Sequence, residues 1–180
     1  MKTIIPPSDE GSEQSGPSLF SSIHLPFMAV AMHEARLAGE AGEVPVGAVI
    51  THEGRIIGRG RNACERLNDA TAHAEMIAIT AASQTLGTWR LEACTLYVTL
   101  EPCPMCMGAA LNARITTVYF GAREPKCGAC GSVVDLSALP GFNHHLAVTG
   151  GMLADESAQL LKGFFRLLRE ARSAERDTRN

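Results

Sequence analysis

The segment TLYVTLEPCPMC, Thr95 to Cys106, sets the tightest limit on what this chain folds into. Thr95–Glu101 is a short, β-branched and apolar run with little alternation, the pattern of a strand buried on both faces. Pro102 follows at once and suits the first turn of a helix, where its missing N–H costs nothing. The helix is then expected over Cys103–Arg114. A strand covered on both sides needs a layer above and a layer below it, which points to an α/β layer fold.

The flanking sequence supplies those layers. Met28, Ala31, Met32 and Ala35 recur at helical spacing after Pro26, and Gly39 with Gly42 ends that helix. VPVGAVIT (Val44–Thr51) and RIIGRGR (Arg55–Arg61) flank His52-Glu53-Gly54 and read as a hairpin. Asn62–Thr71 reads as a polar loop, Ala72–Ala82 as a helix and Ile115–Ala122 as a strand. Arg123–Gly131 is a Gly- and Cys-containing loop, and Leu146–Gly150 a short last strand. Met152–Arg172 is expected to form an amphipathic helix with Leu160, Leu161, Phe164, Phe165 and Leu168 on one side, a stripe fit for a core or a dimer surface.

Composition narrows the function classes. The chain has 180 residues, 46% hydrophobic, with 16 Lys and Arg against 19 Asp and Glu, for a net charge of −3. This is enough chain for one core without staples, and no polycation, so a nucleic-acid partner must be held by local basic patches. The first 18 residues are rich in Ser, Pro, Gly and acid and are expected to form a mobile tail; 19–180 form the domain. No apolar run is long enough to span a bilayer, and the N-terminus lacks the apolar segment of a signal peptide. The expected compartment is therefore the cytoplasm, where the six cysteines serve as thiols or metal ligands rather than disulfides.

Two segments carry chemistry: His73-Ala74-Glu75 opening one helix and Pro102-Cys103-Pro104-Met105-Cys106 opening another. Zinc takes tetrahedral N and S ligands, and a catalytic site supplies three of them, leaving the fourth place to water. Cys103 and Cys106 share one face of a first helical turn, where the positive helix end favours thiolates. His73 offers the imidazole. Glu75 points away from His73 and is placed to take a proton from the water. Two thiolates cancel the charge of the ion and leave that water less acidic, so the site needs a carboxylate base. A rival reading pairs Cys103-x-x-Cys106 with Cys127-x-x-Cys130, 20 residues apart, as a closed four-cysteine zinc site.

H-x-E followed by P-C-x-x-C is the signature of zinc nucleobase deaminases. From about Phe27 to Arg169 the chain resembles the bacterial tRNA-specific adenosine deaminases of the cytidine deaminase-like superfamily. The resemblance rests on EVPVGAV (Glu43–Val49), NDATAHAE (Asn68–Glu75), TLYVTLEPCPMCMGA (Thr95–Ala109), FGAREPKCGACGS (Phe120–Ser132), PGFNHH (Pro140–His145) and LLKGFFR (Leu160–Arg166). It implies a three-layer α/β/α fold around a mixed sheet of about five strands. It also implies one zinc on His73, Cys103 and Cys106, with Glu75 moving protons while adenosine becomes inosine at the wobble position of an arginine tRNA. Matched positions give Asn62 near the base, Val46 as a pocket wall, Arg123 and Lys126 on a loop facing the anticodon strand, and Phe164, Phe165 and Arg166 on an RNA-contacting helix. A homodimer is implied as well. Two departures stand out: Asp69-Ala70 replaces the family's Asp-Pro, and Glu124 stands where Asp is usual. The alternative on the same scaffold is a deaminase of free guanine, cytosine or a nucleoside.

Overall fold

The computed structural model describes residues 22–177. The expected N-terminal tail lies outside them. Five strands form one mixed sheet in the order β2-β1-β3-β4-β5, where β1 is Gly47–His52, β2 Arg55–Arg61, β3 Cys94–Leu100, β4 Thr117–Ala122 and β5 Ala147–Gly150. β1 pairs antiparallel with β2 and β3, while β3, β4 and β5 run parallel. Helices α1 (Leu25–Glu40) and α5 (Ala154–Asp177) cover one face; α3 (Ala74–Leu86) and α4 (Pro104–Asn112) cover the other.

Period-2 alternation assigns the side chains to these layers. Ala48, Ile50, Leu96, Val98, Val118 and Phe120 join Ala74, Ala78, Met107 and Ala110 in the larger core. Their strand neighbours Val49 and Tyr97 turn to the other face and pack with Met28, Ala31 and Met152. β3 is therefore buried on both sides, as its apolar run predicts.

Small residues set the spacing on the α3 side. A methyl group on Gly60 would lie 2.0 Å from the Ala74 carbonyl oxygen, and one on Gly58 would lie 2.4 Å from that of Ala78. The strand can hold α3 this close only because R-I-I-G-R-G-R meets Ala74, Ala78 and Ala82 along the helix. Gly87 ends α3 in the left-handed conformation, where its lack of Cβ carries no penalty. On β2, an irregularity near Ile57 frees that residue's carbonyl, which accepts from Thr85 Oγ1 on α3 at 2.8 Å.

The structure corrects several sequence expectations. Pro104, not Pro102, occupies the first turn of α4; Cys103 is the N-cap, and Pro102 lies in the link from β3. The polar loop contains a single helical turn, α2 (Cys64–Leu67), too short to show a period. The last helix runs on to Asp177. Of its apolar stripe, Leu161 packs against the larger core, Leu160, Phe164 and Leu168 are half-buried, and Phe165 is exposed. Among the described residues no helix is long and apolar enough to cross a membrane.

Candidate active site

The N-terminal ends of α3 and α4 meet. His73 is the N-cap of α3 and Cys103 the N-cap of α4, both in extended backbone, and neither side chain caps its own helix. The two instead turn toward each other. His73 Nδ1 lies 3.7 Å from Cys103 Sγ and 3.5 Å from Cys106 Sγ. Zinc with Zn–S of about 2.3 Å and Zn–N of about 2.0 Å at tetrahedral angles sets N···S at about 3.6 Å, so the three atoms fit that ion. They are the group of potential metal ligands found among the described residues, and Cys127 and Cys130 are not part of it. The four-cysteine reading therefore has no support in the geometry.

Charge at this point is arranged for a cation. A hydrogen bond with Cys106 holds the Cys103 thiol down to about 4, with His73 adding to the effect. Sharing that proton, together with burial, pushes Cys106 up. The sulfur pair thus keeps one proton between two atoms, and a divalent ion displaces it to give two thiolates. The hydrogen bond to Cys103 raises His73 against the opposing effect of burial. Two helix N-termini pointing at the same sulfurs favour the anionic form.

Glu75, the second residue of α3, is only 4% exposed, and its Oε2 has no hydrogen-bond partner among the described residues. Burial raises its carboxyl above the usual range. An unpaired buried carboxylate oxygen is costly, and it persists here beside three metal-ligand atoms without being one of them. The unfilled acceptor is suited to a water or a substrate group held at the ion.

Local hydrogen bonds order the approach to His73. Thr71 N–H and Thr71 Oγ1 both donate to Asp69 Oδ1 at 2.7 Å, Ala72 N–H donates to the Asp69 carbonyl at 3.1 Å, and His73 N–H to the Thr71 carbonyl at 2.7 Å. Asp69 thus closes an Asx turn just ahead of His73. Ala63 N–H donates to the Ala72 carbonyl, which ties the end of β2 to the same point.

Asn62 and Val46 are neighbours: Asn62 N–H donates to the Val46 carbonyl at 3.0 Å, and both side chains are buried. Sequence reasoning overlooked Glu43, which orders this corner. Its carboxylate is buried and accepts from Asn62 Nδ2 at 3.2 Å, Glu65 N–H at 3.3 Å and Arg66 N–H at 2.7 Å. Arg123 and Lys126 are exposed on the loop after β4. Glu124 is half-buried on that loop, and its Oε1 accepts from Lys126 N–H at 2.9 Å. Phe164 lies in the other helical layer, lining a cleft of about 440 Å3 with Arg36 and Pro45, next to Val46 in sequence. Phe165 is 41% exposed beside it, and Arg166 lies 3.9 Å from Glu170 along the helix. The structure gathers His73, Glu75, Cys103 and Cys106 at one point and leaves the α5 residues outside that group.

Residues 21–122 match the family described as the cytidine and deoxycytidylate deaminase zinc-binding region. A tRNA-specific adenosine deaminase from Bacillus subtilis is 48% identical over 83% of this chain and 93% of its own length. A solved structure from a study of A-to-I editing by tRNA:A34 deaminases at the wobble position superposes with a TM-score of 0.73 at 48% identity, covering 75% of this chain and 98% of that one. A guanine deaminase structure from Bacillus subtilis gives a TM-score of 0.53 at 43% identity over 56% of this chain and 64% of the other.

Proposed function

The chain belongs to the cytidine and deoxycytidylate deaminase zinc-binding family, with the tRNA-specific adenosine deaminases as its relatives, and from this premise we propose that it converts adenosine to inosine by hydrolysis at the wobble position of an arginine tRNA. The observation that carries the reading is the buried Glu75 carboxylate, whose Oε2 has no hydrogen-bond partner among the described residues, beside a His-Cys-Cys group of zinc dimensions.

His73 Nδ1, Cys103 Sγ and Cys106 Sγ would hold the ion. Zinc, when bound, supplies a Lewis acid that makes a water nucleophilic near neutral pH. Glu75 is placed to take a proton from the attacking water as its oxygen adds to C6 of the base, and to deliver that proton to ring N1. It then carries the second proton to the departing amine. Adenosine and water give inosine and ammonia. Burial lifts the Glu75 carboxyl above the usual carboxylate range, which favours its holding a proton between the two halves of this shuttle.

The base must leave its stack to reach a carboxylate this buried, which favours an unpaired loop nucleotide. Val46 and Asn62 form the wall of its pocket, with Glu43 fixing the Asn62 amide. Arg123 and Lys126 face the anticodon strand, and Phe164, Phe165 and Arg166 contact RNA farther out. Residues 19–180 act as one deaminase domain, residues 1–18 as a tail, and the working unit is a cytoplasmic homodimer.

The test is inosine formation in an arginine tRNA anticodon stem-loop. Glu75→Ala is expected to lower the rate by about 10²–10⁴-fold while one zinc per chain stays bound by metal analysis. A wild-type rate in that variant sinks the proton-shuttle assignment. Ammonia release from free guanine or cytosine, with none from the stem-loop, would replace the RNA substrate by a small one.

A further inference from the structure

We propose that Glu101 is a positioning residue for the RNA-facing loop, clamping residues 123–132 onto the turn that carries Cys103. The proposal builds on the deaminase reading above and concerns how that same site is shaped for its substrate.

Glu101 stands in the link between β3 and α4 and is 2% exposed. A carboxylate at such depth normally faces a cation, yet among the described residues none forms an ion pair with it. Four donors surround it instead. Oε1 accepts from Cys130 N–H and Ser132 N–H, each at 3.0 Å. Oε2 accepts from Glu124 N–H at 3.1 Å and from the Ser132 hydroxyl. All four come from one loop, 23 to 31 residues away in sequence.

Packing enforces the same contact. A methyl group on Gly128 would lie 2.5 Å from Glu101 Cδ and 2.6 Å from the Glu124 carbonyl oxygen, so only glycine lets the loop close on the carboxylate. Ala129 N–H donates to the Pro102 carbonyl at 2.8 Å, adding a backbone tie at the next residue. Residues 101 and 102 thus hold the loop, and Cys103 follows immediately.

The four acceptor sites of the carboxylate are filled, so Glu101 has no capacity left for proton transfer, and it is not among the ligand atoms. Its effect on the reaction runs through Arg123 and Lys126, which this loop presents to solvent. A glutamine there turns an NH2 toward backbone N–H groups and loses the charge that gathers them.

The experiment uses the zinc-loaded full chain and an anticodon stem-loop. Glu101→Gln is expected to raise KM by about tenfold or more and to change kcat by less than about threefold, with zinc content unchanged. Amide exchange at Glu124, Cys130 and Ser132 is expected to quicken by about tenfold or more while β3 amides keep their protection. Gly128→Ala keeps the carboxylate but lifts the loop, and is expected to give the same KM-against-kcat split even if Glu101→Gln folds poorly. Unchanged KM in Gly128→Ala, or a loss confined to kcat, overturns the proposal. Unchanged exchange at the three amides overturns the clamp for any substrate. Absence of inosine with the unaltered chain counts instead against the deaminase reading, and the exchange measurement still decides the clamp.

Discussion

Buried polar side chains in this molecule fall into two kinds, those whose partners the fold supplies and those it leaves open. Glu43 and Glu101 are of the first kind, each surrounded by N–H groups from a distant loop. Glu75 is of the second. Tyr97 shows what closure does to a titration: burial pushes its phenol up to about 12, and its hydroxyl lies 2.8 Å from His24 Nδ1. An unfolded tyrosine ionises near about pH 10, so above that pH the unfolded chain sheds a proton that the folded chain keeps. The stability Tyr97 contributes is whole below about pH 10 and is lost as pH rises toward 12, by up to roughly 2–3 kcal/mol. Urea unfolding followed across that range is expected to fall less steeply for Tyr97→Phe than for the unaltered chain. The grouping of His73, Cys103 and Cys106, with Glu75 beside them, was readable from sequence because H-x-E and C-x-x-C are local spacings. The two structural glutamates were not, because a single Glu at the end of an apolar run looks the same whether it meets water or a loop. The signal lay in TLYVTLE itself: an acid closing a strand covered on both faces has to find donors.

Among the elements, the strand–helix contact of β2 with α3 matters most for the site, since His73 and Glu75 ride on that helix. Gly60→Ala places a methyl 2.0 Å from the Ala74 carbonyl oxygen, and backbone cannot yield as a side-chain tip does. The expected loss is about 1–3 kcal/mol of stability, with zinc affinity weakened by about tenfold, read by chemical denaturation and competitive chelation. Gly108→Ala in α4 is the control: a methyl there meets nothing within 4 Å, so it is expected to be neutral or to stabilise by about 0.5–1 kcal/mol. Among the described residues, sequence pattern located the five strands and the four longer helices: helical spacing for α1, α3 and α5, an unbroken apolar run for β3, and a proline after that strand for α4. It missed α2, whose one turn is held by Glu43 rather than by a hydrophobic stripe. It also assigned the wrong proline to α4, since Pro102 and Pro104 both satisfy a helix start and only the Cys103 cap separates them.

For the whole molecule, a net charge of −3 means that RNA is attracted only where cations stand out. Arg59 and Arg61 both lie within 4 Å of Glu34, whereas Arg123 and Lys126 have no ion pair among the described residues. Arg123→Ala and Lys126→Ala are each expected to lower the slope of log K against log salt for stem-loop binding by about 0.7, the value for one single-strand phosphate contact. A slope left unchanged in both variants would move the RNA path elsewhere on the surface. His73, Glu75, Cys103 and Cys106 sit at helix ends pressed against the sheet, whereas Asn62 and the loop of Arg123 and Lys126 lean on two carboxylates, Glu43 and Glu101. Selection for new nucleotide contexts can therefore work by exchanging loop residues around fixed anchors, and libraries that spare Glu43 and Glu101 should keep more working variants than libraries that randomise them.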